Sequence, residues 1–131
     1  MAAISGALDS ARTLFKTNGE PFQYLGGNYD LAATIALERL YAQESHDQSF
    51  KPFSDKLQNY LSGKNDYNYN FTAAPFIYHP CYFFHVCTLS NTLINGIDHK
   101  NSTPNNSWQT NEVQLVGQAK YILSQVLYLN Y

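Results

Sequence analysis

The chain has 131 residues with 8 Lys and Arg against 10 Asp and Glu, a net charge of −2 and only 14 % charged residues. That length fits a single domain around one core. The singly scattered basic residues leave no electrostatic footprint for nucleic-acid phosphates or an anionic membrane, and two cysteines exclude a disulfide scaffold. The segment Met1-Ala-Ala-Ile-Ser-Gly-Ala-Leu-Asp has neither a basic start nor a long apolar run, so the expected setting is intracellular.

In chain order, Ile4, Leu8, Ala11, Leu14 and Phe15 recur at helical spacing and Thr17-Asn-Gly19 supplies a stop, which predicts a helix near residues 3–16. A second helix starts at Asn28 or Asp30 as N-cap and runs to about Glu44. Leu31, Ile35, Leu37, Leu40 and Tyr41 are its apolar side, and Glu38-Arg39 is its expected wet edge. A third, short helix opens at Pro52 and closes at Gly63 as C′ residue, with Phe53, Leu57, Tyr60 and Leu61 on one face and Lys56 and Asn59 on the other. Tyr67, Tyr69 and Phe71 alternate with asparagines, a pattern that fits a short strand but, with no partner strand evident, reads better as an ordered loop whose rings dock on the core.

From Tyr67 to Ile97 the chain has no Asp, Glu, Lys or Arg. Pro80 at the start and Asn95-Gly96 at the end frame a fourth helix near residues 80–95, aromatic and buried at the centre of the core. At about 24 Å it is too short to span a bilayer. Residues Ile97 to Thr110 read as a polar loop. The last helix runs from about Asn111 to Leu129 with Leu115, Ala119, Ile122, Val126 and Leu129 on one face, which Tyr121, Leu123, Leu127 and Tyr128 widen. Such a helix buries two sides, or one side plus a partner, and those four widening residues are the candidate interaction surface. The expected fold is all-α: one domain over residues 1–131, a compact bundle of about five helices around the aromatic one.

The chemistry-bearing groups cluster at His79, Cys81, His85 and Cys87. Thiolate and imidazole are preferred zinc ligands, but a helix sets Cys81 and Cys87 about 120° apart and neither C-x2-C nor H-x3-H occurs. No metal site is expected; buried thiols and hydrogen-bonded histidines account for the residues. No phosphate loop, nucleophile elbow or paired carboxylate is present, so no cofactor is expected and the chain reads as a non-enzyme. One alternative is a thiol enzyme. Cys81 lies in the first turn of the predicted helix, where the backbone N–H groups favour a thiolate, with His79 beside it. The tripeptide His79-Pro80-Cys81 resembles the active-site motif of autophagy E2-like enzymes, which implies a ubiquitin-like protein carried on Cys81 as a thioester.

A broader resemblance spans residues 28–129. Leu37-Glu-Arg-Leu-Tyr41 ends one helix, Phe53-Ser-Asp-Lys-Leu57-Gln-Asn-Tyr60-Leu61 forms the next, the long aromatic helix begins near His79, and Gln118-Ala119-Lys-Tyr-Ile122-Leu123 lies in the last. This order is similar to the middle regulatory region of fungal zinc-cluster transcription factors. The resemblance implies a regulatory helical domain, nuclear in location, without the six-cysteine cluster that reads DNA and so without direct nucleic-acid binding. Its expected partners are another protein or a second copy of itself, with a small hydrophobic effector as a further candidate and no membrane. A third reading is a small structural subunit, or a piece, of a larger assembly.

Overall fold

The computed structural model describes residues 1–18, 27–65, 70–72, 92–93 and 115–129. Among them are four α-helices and no strand: α1 (Ala2–Asn18), α2 (Gly27–Ser45), α3 (Lys51–Leu61) and α4 (Leu115–Leu129). The expected all-α class holds for these residues, with four helices where about five were expected. The aromatic helix near residues 80–95 lies outside the described residues, as do Tyr67 and Tyr69. α2 is the hub. It contacts α4 most extensively, then α3, then α1.

The end of α3 follows from its sequence. Pro52 needs no N–H partner in the first turn. At the other end Gly63 takes a left-handed φ of 106°, and its N–H donates to the Tyr60 carbonyl at 3.2 Å while Lys64 N–H donates to that of Asn59 at 2.9 Å. This is a Schellman cap, which satisfies carbonyls the helix would otherwise orphan. The chain then returns: Phe71 N–H donates to the Leu61 carbonyl at 3.0 Å, and the buried Phe71 ring stacks on Tyr60 with centroids 5.5 Å apart. The expectation that this loop docks a ring on the core is met by Phe71.

The core joins Leu31, Ile35, Phe53, Leu57, Leu61 and Leu93 with their buried neighbours. On α2 the buried stripe runs through Asn28, Leu31 and Ala32, Ile35 and Ala36, then Glu38 and Arg39, then Ala42. Glu38 and Arg39 are therefore not a wet edge: they are 0 % and 1 % exposed, and Leu40 beside them is the exposed residue. Helical phase decides this, since positions 38 and 39 continue the face that α3 and α4 cover.

Two ions so deeply buried persist only with partners. Arg39 Nε lies 3.2 Å from Glu38 Oε2, and the Arg39 guanidinium donates to Asp55 Oδ1 at 2.8 Å and sits 4.9 Å from the Tyr128 ring centroid. Ser54 Oγ donates to Glu38 Oε2 at 2.8 Å, and Lys51 Nζ donates to Asp55 Oδ2 at 3.0 Å. The group ties α2 to α3 and, through Tyr128, to the end of α4. Burial pushes the Asp55 carboxyl up, but hydrogen bonds and charges from Lys51 and Arg39 outweigh it and hold the pKa below the ordinary 3.8.

Replacing Arg39 by Ala strands Glu38 in the core and should cost about 3–5 kcal/mol of stability. The double replacement Glu38→Leu with Arg39→Met should recover most of that loss, because no unpaired ion remains; urea denaturation of the three variants checks both. The depressed pKa also fixes a pH dependence. The Asp55 contribution is fully present above the unfolded carboxyl value and is lost as pH falls through the lower folded one. Asp55→Asn should therefore flatten the acid limb of a stability-against-pH curve, leaving the neutral-to-alkaline part parallel to the wild type.

Candidate interaction surface

The last helix is seated by its small residues. Gly117, Tyr121 and Ser124 are the buried positions of α4, at i, i+4 and i+7, one face of the helix. A Cβ built on Gly117 would collide with Cδ1, Cε1 and Cγ of Tyr29 on α2, so the ring lies flush against the α4 backbone. Ser124 turns its hydroxyl to the Tyr121 carbonyl at 2.7 Å, which lets a buried polar side chain sit in the interface without an open donor. Tyr121 joins the core at 8 % exposure. Burial raises its phenol above the ordinary value of 10.0, partly offset by a hydrogen bond with Thr72.

Polar contacts fix the register of α4. Lys120 Nζ donates to Asp30 Oδ1 at 3.3 Å on the α2 side. Gln125 and Gln58 exchange amide hydrogen bonds with α3, at 3.1 and 3.4 Å. Gln118 grips the backbone of Leu93 at both ends, accepting from its N–H at 3.0 Å and donating to its carbonyl at 2.5 Å. The Tyr29 hydroxyl donates to that same carbonyl at 3.3 Å. Leu93 itself is buried.

With its small side on α2, the helix turns its aliphatic side outward. Leu115 is 87 % exposed, Ile122 60 %, Val126 50 % and Leu129 82 %. Ala119 is exposed between them, and Val116 and Leu123 extend the surface along one flank. The face expected to pack on the core is thus the open one. The reason is the close approach: a helix lying directly on Tyr29 must present glycine and serine there, and bulky aliphatics on that side would force the two axes apart.

Of the residues assigned from sequence to the interaction surface, Leu123 and Tyr128 are exposed, Leu127 is half-buried and Tyr121 points inward. Sequence reasoning missed the outward role of Leu115, Ile122, Val126 and Leu129 and the buried role of Glu38 and Arg39. The available signal was the i, i+4, i+7 placement of Gly117, Tyr121 and Ser124. His79, Cys81, His85 and Cys87 lie outside the described residues. Among those described, no three His, Cys, Asp or Glu side chains gather where a metal ion could be held, and no helix is long and apolar enough to cross a membrane. Compared with known proteins, the chain matches no family model, no curated protein and no solved structure.

Helix propensity alone favours Gly117→Ala by about 1 kcal/mol. The Tyr29 ring reverses the sign: because that ring is buried and its hydroxyl is engaged by Leu93, the added methyl should destabilise the protein by about 1–3 kcal/mol. Chemical denaturation gives the number, and a stabilised Gly117→Ala would show that α4 does not rest on Tyr29.

Proposed function

We propose that the chain is a non-catalytic helical interaction and regulatory domain whose contact surface is the outer face of α4. The observation that carries this reading is that face: six large aliphatic side chains, Leu115, Val116, Ile122, Leu123, Val126 and Leu129, are exposed on one 15-residue helix. Scattered exposed apolar residues need no explanation, but a contiguous apolar patch on a folded protein marks a place where something else binds. Leu14 and Leu40, by contrast, stand singly on α1 and α2, and Met1 precedes α1.

The resemblance to the middle regulatory region of fungal zinc-cluster transcription factors agrees with this reading. α2, α3 and α4 carry three of the four segments on which it rests, and it supplies the proposal of a nuclear regulatory role. The thiol-enzyme reading draws less support, because an E2-like fold needs a curved antiparallel sheet ahead of its cysteine, and residues 27–45 and 51–61 are helical.

An apolar dye whose fluorescence rises in a non-aqueous environment should bind the natively folded protein, established by its cooperative unfolding, and Ile122→Asn should reduce the signal by half or more. A folded monomer that leaves the dye dark would refute the interaction-domain reading.

A further inference from the structure

The spacing on α4 identifies what fits it. Leu115, Ala119, Ile122, Val126 and Leu129 follow one another in steps of four, three, four and three, the a and d positions of a heptad repeat, whose side chains lock into the gaps of a second helix with the same spacing. Gly117 and Ser124 fall at the opposite, f positions and are the buried ones. Among the described residues of α1, α2 and α3 no such row is left open. Resting on the interaction-domain reading, we infer that the outer face of α4 is a self-association seam, and that its occupant is α4 of a second copy of this chain.

Charge argues for a second copy over a foreign helix. The flanks of the row are Val116 and Leu123 on one side and Gln118 and Gln125 on the other, and the one charged residue of α4, Lys120, is turned to Asp30. Charges on those flanks set which helices pair and in what orientation; this seam has none there to repel an identical, uncharged face. A two-fold pair of the same patch is also the commonest way for a chain to associate with itself.

Area sets the strength. The six large side chains leave open the equivalent of roughly four whole aliphatic groups, about 250–500 Å² on the transfer scale. A standard stable interface uses about 800 Å² per partner. The pair is therefore a weak, concentration-dependent dimer, well short of a standard stable one.

Sedimentation equilibrium of the full chain under reducing conditions tests this. The weight-average mass should climb from 14.9 kDa toward twice that value between about 1 and 500 µM, the span of micromolar to submillimolar constants in which weak association falls. Ile122→Glu and Leu129→Glu, made separately so that one misfolded variant does not end the test, should each weaken association by about tenfold or more with helicity and thermal midpoint unchanged. A chain that stays at 14.9 kDa throughout, or association that survives both substitutions, overturns the inference. In the first case the dye separates the two failures. A monomer that lights the dye keeps the interaction-domain reading and leaves the face to another helix, whereas a dark monomer ends both.

Discussion

The whole arrangement turns on one close approach, the Tyr29 ring of α2 lying against the backbone of α4 at Gly117. A glycine there brings the axes together, and everything else on α4 follows from helical geometry. Tyr121 and Ser124 come down on the same side, Lys120 reaches Asp30, Gln118 meets Leu93, and the aliphatic residues are carried outward. A helix of this composition ordinarily buries its leucines and isoleucines and shows its glycine and serine. Here a buried aromatic ring occupies the space a bulky side chain would need, so the usual preference is reversed and the exposed row is a geometric consequence of the seating. The same contact that stabilises the fold therefore creates the surface by which the chain is proposed to act.

At the other end of α2 a different problem is solved. Glu38 and Arg39 lie where the phase of the helix puts them, under α3 and beside Tyr128, and neither can reach water. Hydrophobic residues of the same volume would often serve stability as well or better. What the ions add is contact among three helices: Arg39 of α2 lies against Glu38 of its own helix, Asp55 of α3 and the Tyr128 ring of α4. The pair thus resembles a locating pin more than a source of strength, with Ser54 and Lys51 holding the two carboxylates in position.

How far the amino-acid sequence disclosed this depends on the kind of signal. α3 was fully legible, because Pro52, the i, i+4, i+7 apolar spacing and Gly63 are local and each names its position. The docking of Phe71 was legible too, since an aromatic ring in an uncharged stretch has few other places to go. The burial of Glu38 and Arg39 is legible only in the phase of the helix, since residues 28, 31, 32, 35 and 36 point the stripe at them while their charge argues for water. On α4 the apolar row itself was visible and its direction was not. Two rows of heptad spacing coexist on that helix, and the choice between them was made by Tyr29, nearly ninety residues earlier in the chain, which no local pattern in α4 reports.

That long separation has a consequence for how the molecule comes together. Contacts between α2 and α3, such as Ser54 with Glu38, close a span of 16 residues, whereas Lys120 with Asp30 closes one of 90. The entropic cost of closing a loop rises with its length, so the α2–α3 pairing is the less costly of the two to close. The seat of α4 is thus the contact whose closure costs the chain more entropy than the α2–α3 pairing does.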